Sequence, residues 1–176
     1  MDQNKLKRLH LGCGSNILPD FFNIDIQDFS GIDEVALVFP LKFKTNSFDV
    51  VYASHLLEHL KGDKLEILKE WTRVLKPGGI LRLSVPDFEK IIKIYLQHKD
   101  IELINNLFFG RQDRLEHYHR ELFDYGKLKN LMSNAGIEAI HSWNPRRQIH
   151  RNYFDMSQAK TCDIPISLNI EGFKKL

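Results

Sequence analysis

A glycine-rich turn and a downstream acid are the residues of this chain whose types and spacing indicate chemistry. The turn Gly12-Cys13-Gly14 follows the short run Leu9-His10-Leu11, and Asp25 closes the next apolar run. Glycines let the backbone turn tightly and approach a ligand with no Cβ in the way. A carboxylate at the tip of a neighbouring strand can accept both hydroxyls of a ribose. The pairing therefore predicts a nucleoside-binding site.

Features missing from the turn narrow the choice of ligand. A dinucleotide site has a third glycine under the pyrophosphate, and Ile17 stands in that position here. A phosphate-cradling loop has lysine followed by serine or threonine, and the turn lacks that pair. The ligand is therefore predicted to carry a ribose but no phosphate bound at this turn. S-adenosyl-L-methionine, in which a sulfonium replaces the phosphates, meets that description.

The hydrophobic pattern indicates the elements that must position these residues. Apolar runs alternate with helix-like segments, which is typical of a sheet with crossover helices. The predicted strands are Leu9–Leu11, Asn23–Ile26, Glu34–Val38, Phe48–Ala53, Ile80–Val85, Ile137–Ser142 and Ile166–Glu171. Helices are predicted over Lys64–Leu75 with Asp63 as its cap, and after Asp124 with Gly136 as its stop. The sequence Lys76-Pro77-Gly78-Gly79 is predicted to turn the chain into the next strand.

The segment 87–123 differs from the rest of the chain in its sequence pattern. Helical patterns at Asp87–Gln97 and Ile101–Phe109 precede a stretch, Gly110–Arg120, that is dense in charge and histidine. We interpret the segment as a helical lid inserted at about 87–123 into a single domain spanning 1–176.

The composition is that of an ordinary globular protein. The chain is 43% hydrophobic and 27% charged, and its formal net charge of +2 does not indicate a polyanionic partner. The two cysteines lie far apart, and no apolar stretch approaches the roughly 18 residues of a membrane span. We expect a cytoplasmic protein without a membrane span.

Four segments of the chain resemble the class I S-adenosylmethionine-dependent methyltransferases, in particular the small group often encoded beside surface-polysaccharide genes. The segments are Leu9–Gly14, Asn23–Ile26, Ser47–Leu60 and Arg73–Gly79. The resemblance implies an α/β, Rossmann-like fold with a mostly parallel seven-stranded sheet in the order 3-2-1-4-5-7-6, strand 7 being antiparallel and helices flanking the sheet. The cofactor would lie over the carboxyl ends of strands 1, 2 and 4.

The same resemblance implies which residues bind the cofactor. The turn would face the methionine and ribose portions, Asp25 the ribose hydroxyls and Ile26 the adenine, with the residues after strand 4 at the reaction end. The implied cofactor-binding residues are Gly12, Cys13, Gly14, Asp25, Ile26, Ala53 and Ser54.

The chain departs from the family's usual pattern at three places. His10 stands two residues before the first glycine, where an acid usually helps to organise the methionine ammonium group. The third strand lacks an acid at its end, which leaves Asp28, Asp33 or Glu34 as substitutes for the residue that reads the adenine amino group. Asp25 follows Gly12 by only 13 positions (25 − 12), so the first helix is predicted to be short or replaced by a loop.

His55, directly beyond the fourth predicted strand, is the candidate catalytic residue. It could act as a base toward a hydroxyl or bind the acceptor, and the alternative is a histidine that shapes the pocket by hydrogen bonding. His55-Leu56-Leu57-Glu58-His59 also has the H-x-x-E-H spacing of a zinc-protease motif. We disfavour that interpretation because the segment follows a strand of a cofactor-binding fold, and no metal ligand is predicted.

Two groups of residues are candidates for binding the acceptor. His119 belongs to the predicted lid, and Arg146 and Arg151 belong to a later cluster that also contains Arg147 and His150. Guanidinium groups bind phosphates and carboxylates in a bidentate manner, so the cluster predicts an anionic acceptor such as a sugar nucleotide. The alternative is a solvated polar surface.

The predicted function is methyl transfer from S-adenosylmethionine to a small-molecule acceptor. A nucleic-acid methyltransferase is disfavoured because the aromatic D/N/S-P-P turn for a flipped base is replaced by Ser54-His55-Leu56-Leu57. A protein of this fold that binds the cofactor without turnover is the second alternative. The sequence does not predict an oligomeric state.

Overall fold

A seven-stranded sheet organises the computed structural model, which describes residues 7–146 and 153–176. The sheet order is β3-β2-β1-β4-β5-β9-β6, and β9 is antiparallel to both of its neighbours, whereas the remaining pairs are parallel. The strands are β1 Arg8–Leu11, β2 Phe22–Asp25, β3 Glu34–Val35, β4 Phe48–Ser54, β5 Leu75–Pro86, β6 Ile137–Ser142 and β9 Ser167–Lys174. A separate hairpin pairs β7 Lys160–Thr161 with β8 Ile164–Pro165. The predicted sheet order and the antiparallel last strand are confirmed.

Four helices accompany the sheet in the described chain. They are α1 Lys64–Val74, α2 Phe88–His98, α3 Glu102–Phe109 and α4 Tyr125–Asn134, with short 3-10 turns at Leu57–His59, Leu115–His117 and Met156–Gln158. The side chains of Asp63 and Asp124 accept hydrogen bonds from backbone N–H groups of the first turns of α1 and α4. Both predicted caps are confirmed.

The two faces of the sheet are covered differently. Val51 and Ala53 of β4 belong to a core cluster completed by α1 and α4. Val50 and Tyr52 point to the opposite face, where Phe21 and Trp143 cover them. Because alternate residues of a strand face opposite sides, the run of buried residues in β4 shows that both faces of the sheet are covered.

Some elements differ from their predicted bounds. β3 covers only Glu34–Val35, and Leu37 beyond it is exposed, since this outermost strand has a single neighbour. β5 begins at Leu75, so Lys76–Gly79 belongs to an extended strand rather than to a separate turn. Residues 12–21, all of which the structure describes, contain no helix, and the predicted replacement of the first helix by a loop is confirmed.

The segment 87–123 forms α2 and α3 and packs through a small apolar core of its own. Ile91 and Ile94 of α2 contact Ile104 of α3 and Ile166, which precedes β9. The end of the segment returns to the sheet, where the Arg120 N–H donates to the Glu58 carbonyl at 2.7 Å. No helix in residues 7–146 and 153–176 is long and apolar enough to cross a membrane.

Candidate functional site

The glycine turn has the backbone geometry that its residues predict. Gly12 and Gly14 have φ values of 61° and 53°, in the left-handed region that glycine adopts most easily. A Cβ atom on Gly12 would lie 2.6 Å from Cδ1 of Leu56. The Cys13 N–H donates to the Ile24 carbonyl at 3.1 Å, which holds the turn against β2. The turn therefore requires glycine at Gly12 for both conformation and space.

Asp25, at the end of β2, faces the turn. One carboxylate oxygen accepts the Gly14 N–H at 2.9 Å, and the other accepts the Gln27 N–H at 3.0 Å. Each oxygen of an ionised carboxylate has a further lone pair, so the group can also accept hydrogen bonds from two ligand hydroxyls. The backbone thus fixes the carboxylate in the orientation that a ribose would need.

A cavity of about 400 Å³ opens beside Asp25. Its walls are mostly apolar and include Ile26, Leu37, Val38 and Leu56. Ile26 and Leu37 are 55% and 57% exposed, although both are large apolar side chains. A largely apolar cavity with a few polar groups is the usual form of a small-molecule site.

A second, smaller cavity of about 30 Å³ lies at the glycine turn. It is lined by His10, Gly12, Cys13, Asn16, Ser54, Asp155 and Met156. Asp155 is buried, and its carboxylate accepts hydrogen bonds from the Tyr52 hydroxyl at 2.5 Å and the Ser157 N–H at 2.8 Å. The fold therefore places a carboxylate beside Gly12 from a distant part of the chain.

His10 has a structural role at this end of the site. Its Nδ1 lies 3.0 Å from Oδ1 of Asn23, and its ring stacks on Tyr52 with the centroids 5.2 Å apart. Burial lowers the pKa of His10 to about 4, so the ring is neutral at physiological pH. Burial also raises the pKa of the Cys13 thiol to about 12, which keeps it protonated.

The predicted substitutes for a third-strand acid do not line either cavity. Asp33 accepts the Asn23 N–H at 2.7 Å, Glu34 pairs with Lys42, and Asp28 is exposed. Leu37, Val38 and Phe39, which follow β3, line the large cavity instead. The expectation that one of these acids reads the adenine stays a prediction, since β3 ends early and the chain beyond it presents apolar side chains to the cavity.

His55 lies next to the site but is enclosed by protein groups. Its Nε2 lies 2.8 Å from Oγ of Ser167, and its Nδ1 lies 3.4 Å from Oε1 of Glu58. The side chain is 10% exposed. Burial, with a smaller contribution from His119, lowers its pKa to about 3. A histidine with this pKa is a weak proton acceptor, so the geometry favours a pocket-shaping role over that of a general base.

Comparison with known proteins identifies the fold. A family model described as a methyltransferase domain matches residues 33–83. A solved S-adenosylmethionine-dependent methyltransferase from Methanosarcina mazei superposes with a TM-score of 0.65 at 20% identity, covering 99% of this chain and 94% of that one. A Thermotoga maritima structure, described as a possible histamine N-methyltransferase, superposes with a TM-score of 0.61 at 18% identity, covering 97% and 83%. The chain has the class I methyltransferase fold.

Curated sequence relatives of the chain are methyltransferases. A demethylmenaquinone methyltransferase of Staphylococcus haemolyticus is 33% identical over 57% of this chain and 45% of its own length. A ubiquinone/menaquinone biosynthesis C-methyltransferase of Haemophilus ducreyi is 30% identical over 64% of this chain and 48% of its own length. The chain thus spans about half the length of the curated relatives it matches. The resemblance to class I methyltransferases is confirmed.

The methyltransferase fold brings together only part of the predicted acceptor site. His119 is half-buried beside His59, whose side chain lines the large cavity. Arg146 instead lines a separate groove of about 450 Å³ that also contains Lys160 and Ser167. Arg147, His150 and Arg151 lie outside the described residues. The two acceptor-binding candidates His119 and Arg146 therefore lie at different cavities in the structure.

Several residues of the site carry no local sequence signal. Leu56 lies over Gly12, Asp155 lies beside the turn, and Arg120 lines the large cavity from the segment 87–123. The one indication in the sequence is the interpretation of the segment 87–123 as a lid, from which residues could cover the site. Ala53, which was predicted to contact the cofactor, is buried within the core cluster of the sheet.

Proposed function

We propose that this chain transfers the methyl group of S-adenosylmethionine to a small-molecule acceptor. The observation that carries the proposal is the Asp25 carboxylate, which is oriented by the glycine turn and lies at the edge of an apolar cavity large enough for adenosine. The methyltransferase fold and the activities by which the curated relatives are named support the same cofactor and reaction.

Each part of the cofactor has residues suited to hold it. Ile26, Leu37 and Val38 would pack on the adenine, and Asp25 would accept the ribose hydroxyls. The methionine portion would lie over Gly12, and Leu56 must shift to admit it because its side chain now contacts that glycine. When bound, the cofactor supplies an electrophilic methyl group on a sulfonium.

Asp155 is proposed to accept the methionine ammonium group. The His10 ring is neutral and its Nδ1 faces Asn23, so this residue supplies no negative charge for the ammonium group. Asp155 lines the same small cavity as Gly12 and Cys13, and a carboxylate there would attract an ammonium group strongly because the surroundings exclude water. The C-terminal part of the chain thus supplies the charge that the first strand lacks.

The chain's contribution to catalysis is positioning. Methyl transfer from a sulfonium is an in-line displacement, and holding two reactants in line is worth several kcal/mol of entropy already lost on binding. His55 would shape the acceptor side through its contacts with Ser167 and Glu58. Its neutral, buried ring keeps a second positive charge away from the sulfonium.

The acceptor is proposed to be anionic. Arg146 and Lys160 line a groove whose wall includes Ser167, and Ser167 contacts His55. An acceptor held by its phosphate or carboxylate in this groove would approach the reaction end from the side opposite the adenosine. Replacement of Arg146 by Ala would then raise the KM for such an acceptor and leave cofactor affinity unchanged.

Isothermal titration with S-adenosylmethionine, S-adenosylhomocysteine and NAD tests the proposal, followed by methyl transfer to a panel of small acceptors. We expect binding of the first two only, and Asp25→Asn to weaken that binding at least about tenfold through loss of a charge-assisted hydrogen bond. Asp28→Asn is the matched control, because Asp28 is exposed and lies outside the cavity. Binding without transfer to any acceptor would favour the alternative of a protein without turnover, and absence of binding would refute the cofactor.

A further inference from the structure

Three side chains with metal-binding atoms converge at the edge of the large cavity. A carboxylate oxygen of Glu58 and one ring nitrogen each of His59 and His119 lie within 4.8 Å of one another. Glu58 and His59 belong to the 3-10 turn after β4, whereas His119 comes from the segment 87–123. The fold therefore brings this group together from two separate parts of the chain.

Glu58 is a buried carboxylate that lacks hydrogen-bond donors. The residue is 0% exposed, and neither carboxylate oxygen accepts a hydrogen bond from the described residues. Because a buried ionised carboxylate is costly unless it is paired, this position calls for a proton or a metal cation.

Both histidines carry an unprotonated nitrogen. Nδ1 of His59 lies 3.2 Å from the Tyr118 carbonyl oxygen, and Nδ1 of His119 lies 3.0 Å from the Leu107 carbonyl oxygen. A carbonyl only accepts hydrogen bonds, so the neutral rings carry their proton on Nδ1 and leave the lone pair on Nε2. Nε2 of His59 lies 3.9 Å from Oε1 of Glu58. Metal-bound histidines are usually oriented by such a hydrogen bond to their other nitrogen.

His55 also directs a lone pair at the same carboxylate. The Ser167 hydroxyl donates to the Met156 carbonyl, so the His55 Nε2–H must donate to Ser167, and Nδ1 is unprotonated. That Nδ1 faces Oε1 of Glu58 at 3.4 Å. Imidazole lone pairs of His55 and His59 thus face a carboxylate that accepts no hydrogen bond from the described residues.

We propose that Glu58, His59 and His119 bind one divalent metal ion, with Zn²⁺ as the best fit to the donor set. Two imidazole nitrogens and one carboxylate oxygen are the protein ligands of open zinc sites, in which a water molecule completes the tetrahedron. Ligand atoms about 2.0–2.1 Å from Zn²⁺ lie about 3.3 Å apart, so these atoms need to approach one another by no more than about 1.5 Å.

The metal ion would join the segment 87–123 to the turn after β4. His59 lines the large cavity and His119 belongs to the segment that contributes Arg120 to the same cavity. The charges of Lys64 and Arg120 lie nearby and lower the affinity for a cation, whereas Glu58 offsets them. The inference is independent of the proposed methyl transfer, since it concerns binding of the ion to the protein without cofactor.

Titration of chelator-treated protein with Zn²⁺ alone tests the site, with Co²⁺ as a spectroscopic substitute. We expect one equivalent of Zn²⁺ to bind, a tetrahedral Co²⁺ absorption band, and a higher Tm with Zn²⁺. Glu58→Gln, His59→Gln and His119→Gln should each weaken Zn²⁺ binding by at least about 100-fold, the upper end of what loss of an outer-shell partner costs. His117→Gln is the matched control, because His117 lies in the same segment and bonds to Asp113 instead.

Thermal unfolding of each variant without metal separates loss of ligands from loss of fold. Glu58→Gln keeps the shape of the side chain and can donate a hydrogen bond to His55, so it should fold even without a metal. The proposal is overturned if the wild-type protein binds no Zn²⁺, or if these three substitutions leave its uptake unchanged.

Discussion

At the scale of single residues, Gly12 is constrained in two ways. Its backbone is in the left-handed conformation, and a side chain there would occupy the space proposed for the ligand. Gly12→Ala places a side chain in the left-handed region and against Leu56. We expect it to lower the free energy of unfolding by about 1–2 kcal/mol and to weaken S-adenosylmethionine binding at least about tenfold. Denaturant unfolding and isothermal titration measure the two effects.

Gly62→Ala is the control for that substitution. Gly62 also has a positive φ, 95°, but a Cβ there meets nothing within 4 Å. The control should show the loss of stability with unchanged cofactor affinity. Equal loss of affinity in both variants would mean that the effect of Gly12→Ala is one of folding and not of the site.

The site residues that could be predicted from sequence are those with a local signal. Gly14 and Asp25 follow strands at a recognisable spacing, and the Gly14 N–H donates to the Asp25 carboxylate in the structure. Asp155 could not be predicted, because its partner Tyr52 lies 103 positions away and no pattern joins the two. The H-x-x-E-H spacing of residues 55–59 is disfavoured as a metal motif from sequence because the segment follows a strand, and only the structure shows that Glu58 is buried without a hydrogen-bond donor among the described residues.

At the scale of elements, the C-terminal segment 155–158 is the part of the chain that completes the turn. Its carboxylate, Asp155, is held by Tyr52 and by Ser157. We predict that Asp155→Asn weakens S-adenosylmethionine binding at least about tenfold, because the ammonium group loses its ionised partner. The measurement is isothermal titration at neutral pH.

Tyr52→Phe distinguishes charge from packing in that prediction. The substitution removes one hydrogen bond and keeps the Asp155 carboxylate. It should lower the free energy of unfolding by about 1 kcal/mol and affect cofactor affinity far less than Asp155→Asn. A larger loss of affinity in Tyr52→Phe would instead assign the segment a purely structural role.

Strands and helices were predictable where burial on both faces left an unbroken apolar run or a capped amphipathic pattern. β4 and α1 are examples, and their observed bounds lie close to the predicted ones. β3 is predicted too long because Leu37 and Val38 are apolar, although these residues line a cavity and have no strand partner in the described chain. Apolar side chains that line a cavity have the same sequence pattern as those of a strand.

At the scale of the whole molecule, His10 couples stability to pH. Its pKa is about 4 in the folded protein and near 6.5 in the unfolded chain, so the unfolded state binds more protons between these values. Stability from His10 is therefore present above pH 6.5 and is lost as pH falls toward 4. Between pH 7 and pH 5 the loss is about 2 kcal/mol.

Urea unfolding of the wild-type protein and of His10→Gln at several pH values checks this prediction. The difference between the two proteins isolates His10 from the other buried histidines. The stability of the wild-type protein should fall more steeply than that of His10→Gln as the pH is lowered. Parallel curves would show that His10 is protonated to the same extent in the folded and unfolded states.

The whole-molecule topology was predictable through resemblance, since the order of motifs along the chain identifies the fold. The positions of the site residues on that fold could not be predicted, because Arg146 lies in a groove apart from the cavity that His59 lines. Distances between loops depend on the packing of every element between them, and no local pattern reports them.

The central claim is that the cavity beside Asp25 binds the adenosine part of S-adenosylmethionine. A crystal structure with S-adenosylhomocysteine tests it most directly. The account predicts both ribose hydroxyls within about 3 Å of the Asp25 carboxylate and the adenine against Ile26 and Leu37. A ligand bound elsewhere, or bound in this cavity with no contact between its ribose and Asp25, would contradict it.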